Sequence, residues 1–536
     1  MRLKVRRLAG AVALGMMLMC VACTLLLDRN SVQCQTDGDC ARFGNHPYCN
    51  NGLCVASGLS PKDCFYGTPQ RPKDFLNQCS AVQCLSFDNC SRVGLCGGAS
   101  NLNAALSSPP AATSAASTPP VIAADAGASG DGGPSGDGGP ATEGGASTDG
   151  GAPATLPSCQ DATAGRSQVV YITGSSNFPP LLAKLAPLIL TTGYTPVFQI
   201  TNSCTGVKSI FSDQPTDQVI SDPSSPSGKY AAYYGSDGKA KPCSLGPSGA
   251  RVDVGESDVF SSTCDGFGAP SKGLGEYLGP IQAMAFVVPG KSTQTAITAE
   301  AARAVFGMGG VAPWTNPSMF FVRNSGTGTQ QMIGHAIAVP ANAFWGVDRG
   351  TASQVDALMR VISDDTLAQQ AIGIISDDYY DNDRVNLKAL AFKAAGQECA
   401  YLPDSTEFKK DKRNVRDGHY PIWGPVHFFT AISNGVPSSP GAEAFVSVVS
   451  VPNVQQTLLD AFIASSMVPG CAMSVQRSSE LGPLSAYSPP FQCSCYFEAS
   501  PAVNGAAPAE CQRCNSPNDC TDPRRPACNF GYCELQ

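Results

Sequence analysis

Between Cys159 and about Gln492, short apolar runs alternate with helical patterns. Val169-Val-Tyr-Ile-Thr173 reads as a buried strand. Pro179 to Leu190 follows as a helix with Pro in its first turn. Val197 to Thr201 predicts the next strand, and a helix is expected around Gly206 to Phe211. Met284 to Pro289 and Phe320 to Arg323 predict further strands, and Gln330 to Ala338 a further helix. Thr298 can N-cap a helix through Phe306, with Gly307 ending it. Strands alternating with helices imply an α/β fold with mostly parallel sheets. The segment is long enough for two lobes of ~100–200 residues each.

The pattern changes outside this segment. Arg2, Lys4, Arg6 and Arg7 precede an apolar run from Leu8 to Met19, too short for a bilayer span, which needs ~20 residues. This is the layout of an export signal over residues 1–22. Cys20-Val-Ala-Cys23 then resembles a bacterial lipobox, with Cys20 where Leu is usual and Cys23 as the lipidated residue. Residues 101–158 hold Ala, Ser, Thr, Pro and Gly, without Lys, Arg or aromatics before Cys159. Nothing there offsets the entropy of ordering, so a flexible tether is expected.

Of the 24 cysteines, 22 remain once Cys20 and Cys23 are set aside. Such abundance suits disulfides in an oxidising compartment. Nine precede the tether, six lie in the middle and seven close the chain, so full pairing needs a bridge leaving each terminal group. Cys34-x5-Cys40-x8-Cys49-x4-Cys54 and Cys514-x5-Cys520-x7-Cys528-x4-Cys533 form an internal repeat. Units this small need staples, and the spacing lacks the close Cys pairs that zinc prefers. Disulfide modules are therefore expected at residues 23–100 and 493–536, flanking a domain at 159–492.

Composition narrows the function classes. Lys+Arg 35 against Asp+Glu 43 gives a net charge of −8, without the basic stripe of a nucleic-acid binder. The four His are scattered, and the G-x-S-x-G, H-E-x-x-H and G-x4-G-K-[ST] motifs are absent. Asp377-Asp-Tyr-Tyr-Asp-Asn-Asp-Arg384 is acidic but lacks a calcium loop's glycine, so a solvated loop is expected.

Four segments concentrate chemistry: Thr173-Gly-Ser-Ser-Asn-Phe178-Pro-Pro, Asn202-Ser-Cys-Thr-Gly-Val207, Gly255-Glu-Ser-Asp258 and Arg323-Asn-Ser-Gly-Thr-Gly-Thr329. Three are hydroxyl- and glycine-rich turns at expected helix N-termini, where free N–H groups and the dipole favour an oxyanion. At the C-terminal edges of parallel strands they would converge on one cleft.

With Ile297-Thr…Val305-Phe-Gly, Ala371-Ile-Gly-Ile and Tyr420-Pro, these segments make residues ~168–435 similar to the PstS-like phosphate-binding proteins of bacterial ABC importers. The resemblance implies a two-lobed type 2 periplasmic-binding-protein fold with phosphate dehydrated between the lobes. It implies that Asn177 and Phe178 contact the anion and that Ser203 donates its hydroxyl and N–H. Asp258 would accept the ligand's proton, Arg323 would give a charged fork, and Thr327, Gly328 and Thr329 would cap the anion. Arg suits tetrahedral oxyanions, and a carboxylate facing an anion selects one that carries a proton, phosphate over sulfate. Asn177 stands where the family has a hydroxyl, Cys204 adjoins Ser203, and residues 213–249, with Cys243, look like an insertion near the cleft.

The leading expectation is a non-enzymatic, lipid-anchored binding protein of the cell envelope that requires no cofactor. It would bind inorganic phosphate and deliver it to an ABC permease or sense it, with a membrane reached only through the anchor. The alternative is a structural or adhesive surface protein built on a degenerate scaffold. In lipoproteins generally, Thr24 after the cysteine favours the outer membrane of a double-membraned cell. If Cys23 carries the anchor, Cys23→Ala should move the protein from the detergent phase to the soluble fraction. Equal partitioning of both proteins would contradict lipidation.

Overall fold

The computed structural model describes residues 48–50, 53–55, 64–65, 68–80, 82–89, 156–162, 168–224, 228–450, 455–503, 505 and 507–535. Cys23, the expected export signal and nearly all of the expected tether lie outside them, as does most of the first cysteine repeat. The chain divides into two compact units, residues 1–67 with 77–84, and residues 68–76 with 85–536. In the first, strands Tyr48–Asn50 and Leu53–Val55 pair antiparallel, and Cys64 is bridged to Cys79.

The second unit is built on a mixed sheet of twelve described strands. These are β1 (Gln168–Gly174), β2 (Tyr194–Ile200), β3 (Ala231–Tyr234), β4 (Ala240–Cys243), β5 (Val254–Ser257) and β6 (Leu274–Pro289). There follow β7 (Phe320–Val322), β8 (Val347–Asp348), β9 (Ile372–Ser376), β10 (Leu387–Ala389), β11 (Trp423–Ser433) and β12 (Val436–Pro437). The order is β8-β7-β9-β6-β11-β5-β1-β2-β3-β4, with β10 paired to β6 and β12 to β11.

Two parallel groups, β5-β1-β2 and β9-β7-β8, flank the antiparallel pair β6/β11. The mostly parallel sheet expected from the sequence is thus corrected to a mixed one. A buried apolar run looks the same whichever way its neighbour points, so strand pattern alone does not give direction. β6 and β11 run antiparallel from Leu274↔Ala431 to Ala283↔Trp423, with a bulge between Leu278 and Ile281. The hairpin β3–β4, inside the 213–249 segment, extends the sheet beyond β2, and Cys243 is bridged to Cys159.

Parallel neighbours need crossovers, and these carry the helices that matter for the site. Helix α1 (Pro179–Leu190) links β1 to β2, with prolines in its first turn and Leu181, Leu182, Leu185, Ala186 and Ile189 buried. Helix α2 (Ser203–Phe211) is capped by Asn202, whose side chain accepts from the Thr205 N–H at 2.9 Å. Helix α3 (Ala299–Met308) is capped by Thr298 as expected but ends later. Gly309, at φ +89°, is its left-handed cap, while Gly307 lies inside the helix, where a Cβ would come within 2.7 Å of Val339. Helix α4 (Gly328–Ile337) follows β7.

The acidic stretch from Asp377 is not a solvated loop. Asp377–Asn382 is a short helix with Asp377, Asp378 and Asp381 buried. Lys412 Nζ, equally buried, lies 3.0 Å from Asp377, 2.7 Å from Asp381 and 3.2 Å from Asp404. Burial works against the ammonium, but the three carboxylates outweigh it and hold Lys412 above the usual lysine range. Burial pushes the Asp377 carboxyl up to about 7, with Lys412 opposing.

The C-terminal cysteines belong to the second unit. Cys471–Cys493 is a bridge leaving the terminal group, as the odd count required, and Cys495–Cys511 follows. The second repeat pairs Cys514–Cys528 and Cys520–Cys533, first with third and second with fourth. Cys84 and Cys399 are also disulfide-bonded. No helix among the described residues is long and apolar enough to cross a membrane.

Removing Lys412's charge would leave Asp377 buried without its ion pair and strip one of two cations from Asp381 and Asp404, which also hold Arg384. Lys412→Met should therefore destabilise the fold by about 3–5 kcal/mol, seen as a lower urea midpoint. A loss under about 1 kcal/mol would contradict the ion cluster's role.

Candidate functional site

Helices α1, α2 and α4 bring their N-termini to one point, beside the end of β5. In the turn after β1, the Ser175 hydroxyl donates to Asp258 Oδ2 at 2.6 Å. Asn177 Nδ2 donates to the same oxygen at 3.0 Å and to Thr329 Oγ1 at 3.2 Å. At the start of α2, the Ser203 hydroxyl reaches Asp258 Oδ2 at 3.3 Å and accepts from the Gly328 N–H at 3.0 Å. One carboxylate oxygen thus gathers donors from two helix starts, and Ser203 ties in the third.

Arg323 leaves the end of β7 and is only 2% exposed. Its Nη2 donates to Ser176 Oγ at 2.7 Å, and its Nε donates to the Gly350 carbonyl. Nη1 is buried without a hydrogen-bond partner, as is Asn177 Oδ1.

The structure brings together Asn177, Ser203, Asp258, Arg323, Gly328 and Thr329. Two expected residues sit differently. Phe178 packs its ring edge-on against Phe198 and Phe428, and its N–H donates to the Ser175 carbonyl. Thr327 spends both its hydroxyl and its N–H on the Asn324 carbonyl, closing its own turn. Ser175, Ser176 and Glu256, which stand within the quoted motifs, also join the cluster. Their roles depend on side-chain direction, which a motif does not carry.

Close approach holds the cluster. A Cβ on Gly328 would come within 2.6 Å of Asp258 Cβ and 2.7 Å of Ser203 Oγ, and one on Gly326 within 2.7 Å of Asn202 Oδ1. The Cys204 N–H donates to the Gly326 carbonyl at 3.0 Å. The Cys204–Cys264 disulfide ties the start of α2 to the chain just beyond Asp258.

Electrostatics oppose burial here. Desolvation raises the Asp258 carboxyl, against the pull of Ser175, Ser203, Arg323 and Asn177. Desolvation lowers Arg323, against the pull of Asp258, Tyr379, Asp348 and Asp378. Burial pushes Asp378 and Glu480 up to about 7, each also feeling Asp258. A buried guanidinium, hydroxyls, helix N-termini and one carboxyl group offer donors for an oxyanion and an acceptor for a proton it carries.

Among the described residues, two clusters have metal-like spacing, and both are otherwise engaged. Asp377, Asp381 and Asp404 hold Lys412, and Cys514, Cys520 and Cys533 are in disulfides.

No family model and no curated protein matches the sequence. Among solved structures, the chain is similar to an ABC-type phosphate transport receptor from Vibrio cholerae, at 14% identity and a TM-score of 0.35, covering 56% of this chain and 99% of that one. It is similar to PstS from Borrelia burgdorferi at 13% and 0.31, covering 56% and 99%. It is also similar to OxyR from Corynebacterium glutamicum at 10% and 0.30, covering 57% and 69%. Likenesses this distant decide neither ligand nor function.

Gly328→Ala places a methyl against Asp258 and Ser203 and should cost about 1–3 kcal/mol in thermal or urea unfolding. Unchanged stability would contradict the tight meeting of α4 with β5.

Proposed function

We propose that residues 168–435 form a two-lobed, non-enzymatic binding domain that takes inorganic phosphate where the three helix N-termini meet. Arg323 carries the reading: a guanidinium 2% exposed, with Nη1 unpartnered, within electrostatic reach of Asp258. Arg323 would hold the anion's charge, Ser203, Asn177, Gly328 and Thr329 its oxygens, and Asp258 its proton. In the exported, Cys23-anchored chain, the tether would let the domain reach away from the membrane. Delivery to an ABC permease and phosphate sensing both fit this chemistry.

One observation favours the scaffold reading instead. Ser175, Asn177 and Ser203 already donate to Asp258 Oδ2, so the chain's own carboxylate uses donors that an anion would need. Phosphate must therefore compete with an internal acceptor.

Calorimetry with phosphate and sulfate separates the readings. Arg323→Ala should lose roughly 2–5 kcal/mol of phosphate affinity, more than an order of magnitude at ~1.4 kcal/mol per decade. Asp258→Asn should lose less for phosphate and gain for sulfate, because it removes repulsion toward a fully ionised anion. Failure of ligand-stripped wild type to bind either anion would overturn the phosphate reading.

A further inference from the structure

Glu256 lies on β5, two residues before Asp258, and is fully buried. Its Oε2 accepts the Ser175 N–H at 2.6 Å, while the Ser175 hydroxyl donates to Asp258. One serine therefore bridges the two carboxyls. The remaining oxygen, Oε1, is buried without a donor to accept from, and the Asp258 carboxyl is within hydrogen-bonding reach of Glu256. Two carboxylates cannot bond each other; a carboxylic acid and a carboxylate can.

The surrounding backbone seals the pair from water. A Cβ on Gly174 would come within 2.4 Å of Glu256 Oε2, and one on Gly206 within 2.0 Å of the Glu256 carbonyl. β1 and α2 therefore close on Glu256 because both glycines lack side chains.

We propose that Glu256 is a specificity-determining residue of this site: it stands as a neutral acid whose proton goes to Asp258, and on ionising it repels the oxyanion. The inference rests on the phosphate reading of the site. Burial, then the neighbouring Asp258, hold the Glu256 carboxyl well above the usual carboxylate range. The other charged groups near the pair are Arg323 after β7, Asp378 at the start of the helix after β9, and Glu480. On β11, His427 lies opposite Ser257 in register and is paired with Glu276.

The sign follows from linkage. The acid form favours the anion, so affinity is full below the Glu256 pKa and is lost as pH rises through it. Asp378 and Glu480, at about 7, titrate in wild type and variant alike, so the difference between the two profiles reports on Glu256. The ligand's own ionisation is the same for both proteins and cancels in the comparison.

The test compares wild type with Glu256→Gln, which keeps an acceptor for Ser175 and a donor for Asp258. Phosphate affinity should fall in wild type as pH rises through the Glu256 pKa, by up to about tenfold per unit. In Glu256→Gln that fall should be missing. Parallel profiles would overturn the inference.

Infrared spectra of ligand-free protein recorded across a pH series decide it without phosphate. Wild type should show a protonated-carboxyl band that Glu256→Gln lacks, and identical spectra would overturn the inference. Isotope labelling of glutamate carboxyls reads the same band in wild type should the variant not fold. If wild type binds no phosphate at any pH, the phosphate reading falls alone and the infrared band still decides the state of Glu256.

Discussion

Burying a guanidinium and a carboxylate at one point is costly, several kcal/mol for each ion, unless other polar groups replace the lost water. The Asp258–Arg323 region meets that requirement with parts from across the second unit. Ser175 and Asn177 come from the β1–α1 turn, Ser203 from α2, and Gly328 from α4. The mixed sheet matters because β5, β1 and β7 end near this point, β1 and β7 parallel to both neighbours and β5 parallel to β1 but antiparallel to β11. Three dipoles then point at one place, an arrangement that favours negative charge.

The same need for compensation shapes the rest of the unit. Lys412 is held by three aspartates, and Arg384 by Asp381 and Asp404. Buried Arg416 bonds Glu498, which belongs to the C-terminal cysteine segment. That segment also joins the core through Phe497 and Cys493, alongside Phe75 from the other side of the tether. The flanking cysteine-rich stretches therefore contribute packing to the unit that carries the site.

Local signals were legible in the sequence. Helix α1 begins at Pro179 and ends at Leu190 as read, because proline fixes its first turn and Gly193, at φ +88°, follows its end. The turns at Gly174, Ser203 and Gly328 were legible because hydroxyls and glycines mark helix starts. Nonlocal features were not. The Asp377 helix read as solvated because its counterion, Lys412, lies far along the chain. Only the last six residues of β6 were apparent, because Gly275, Gly279 and the bulge near Leu278 break the pattern of its first half. Glu256 looked like any acid in a turn; only the approach of Gly174 and Gly206 shows it sealed.

The central claim is that Arg323, Asp258 and three helix N-termini together make an oxyanion site. Equilibrium dialysis of the full-length, ligand-stripped protein against radiolabelled phosphate tests it most directly, with Arg323→Ala alongside. The account predicts one saturable phosphate per chain in wild type and little or none in the variant. Equal retention by both proteins, or none by wild type, would contradict it.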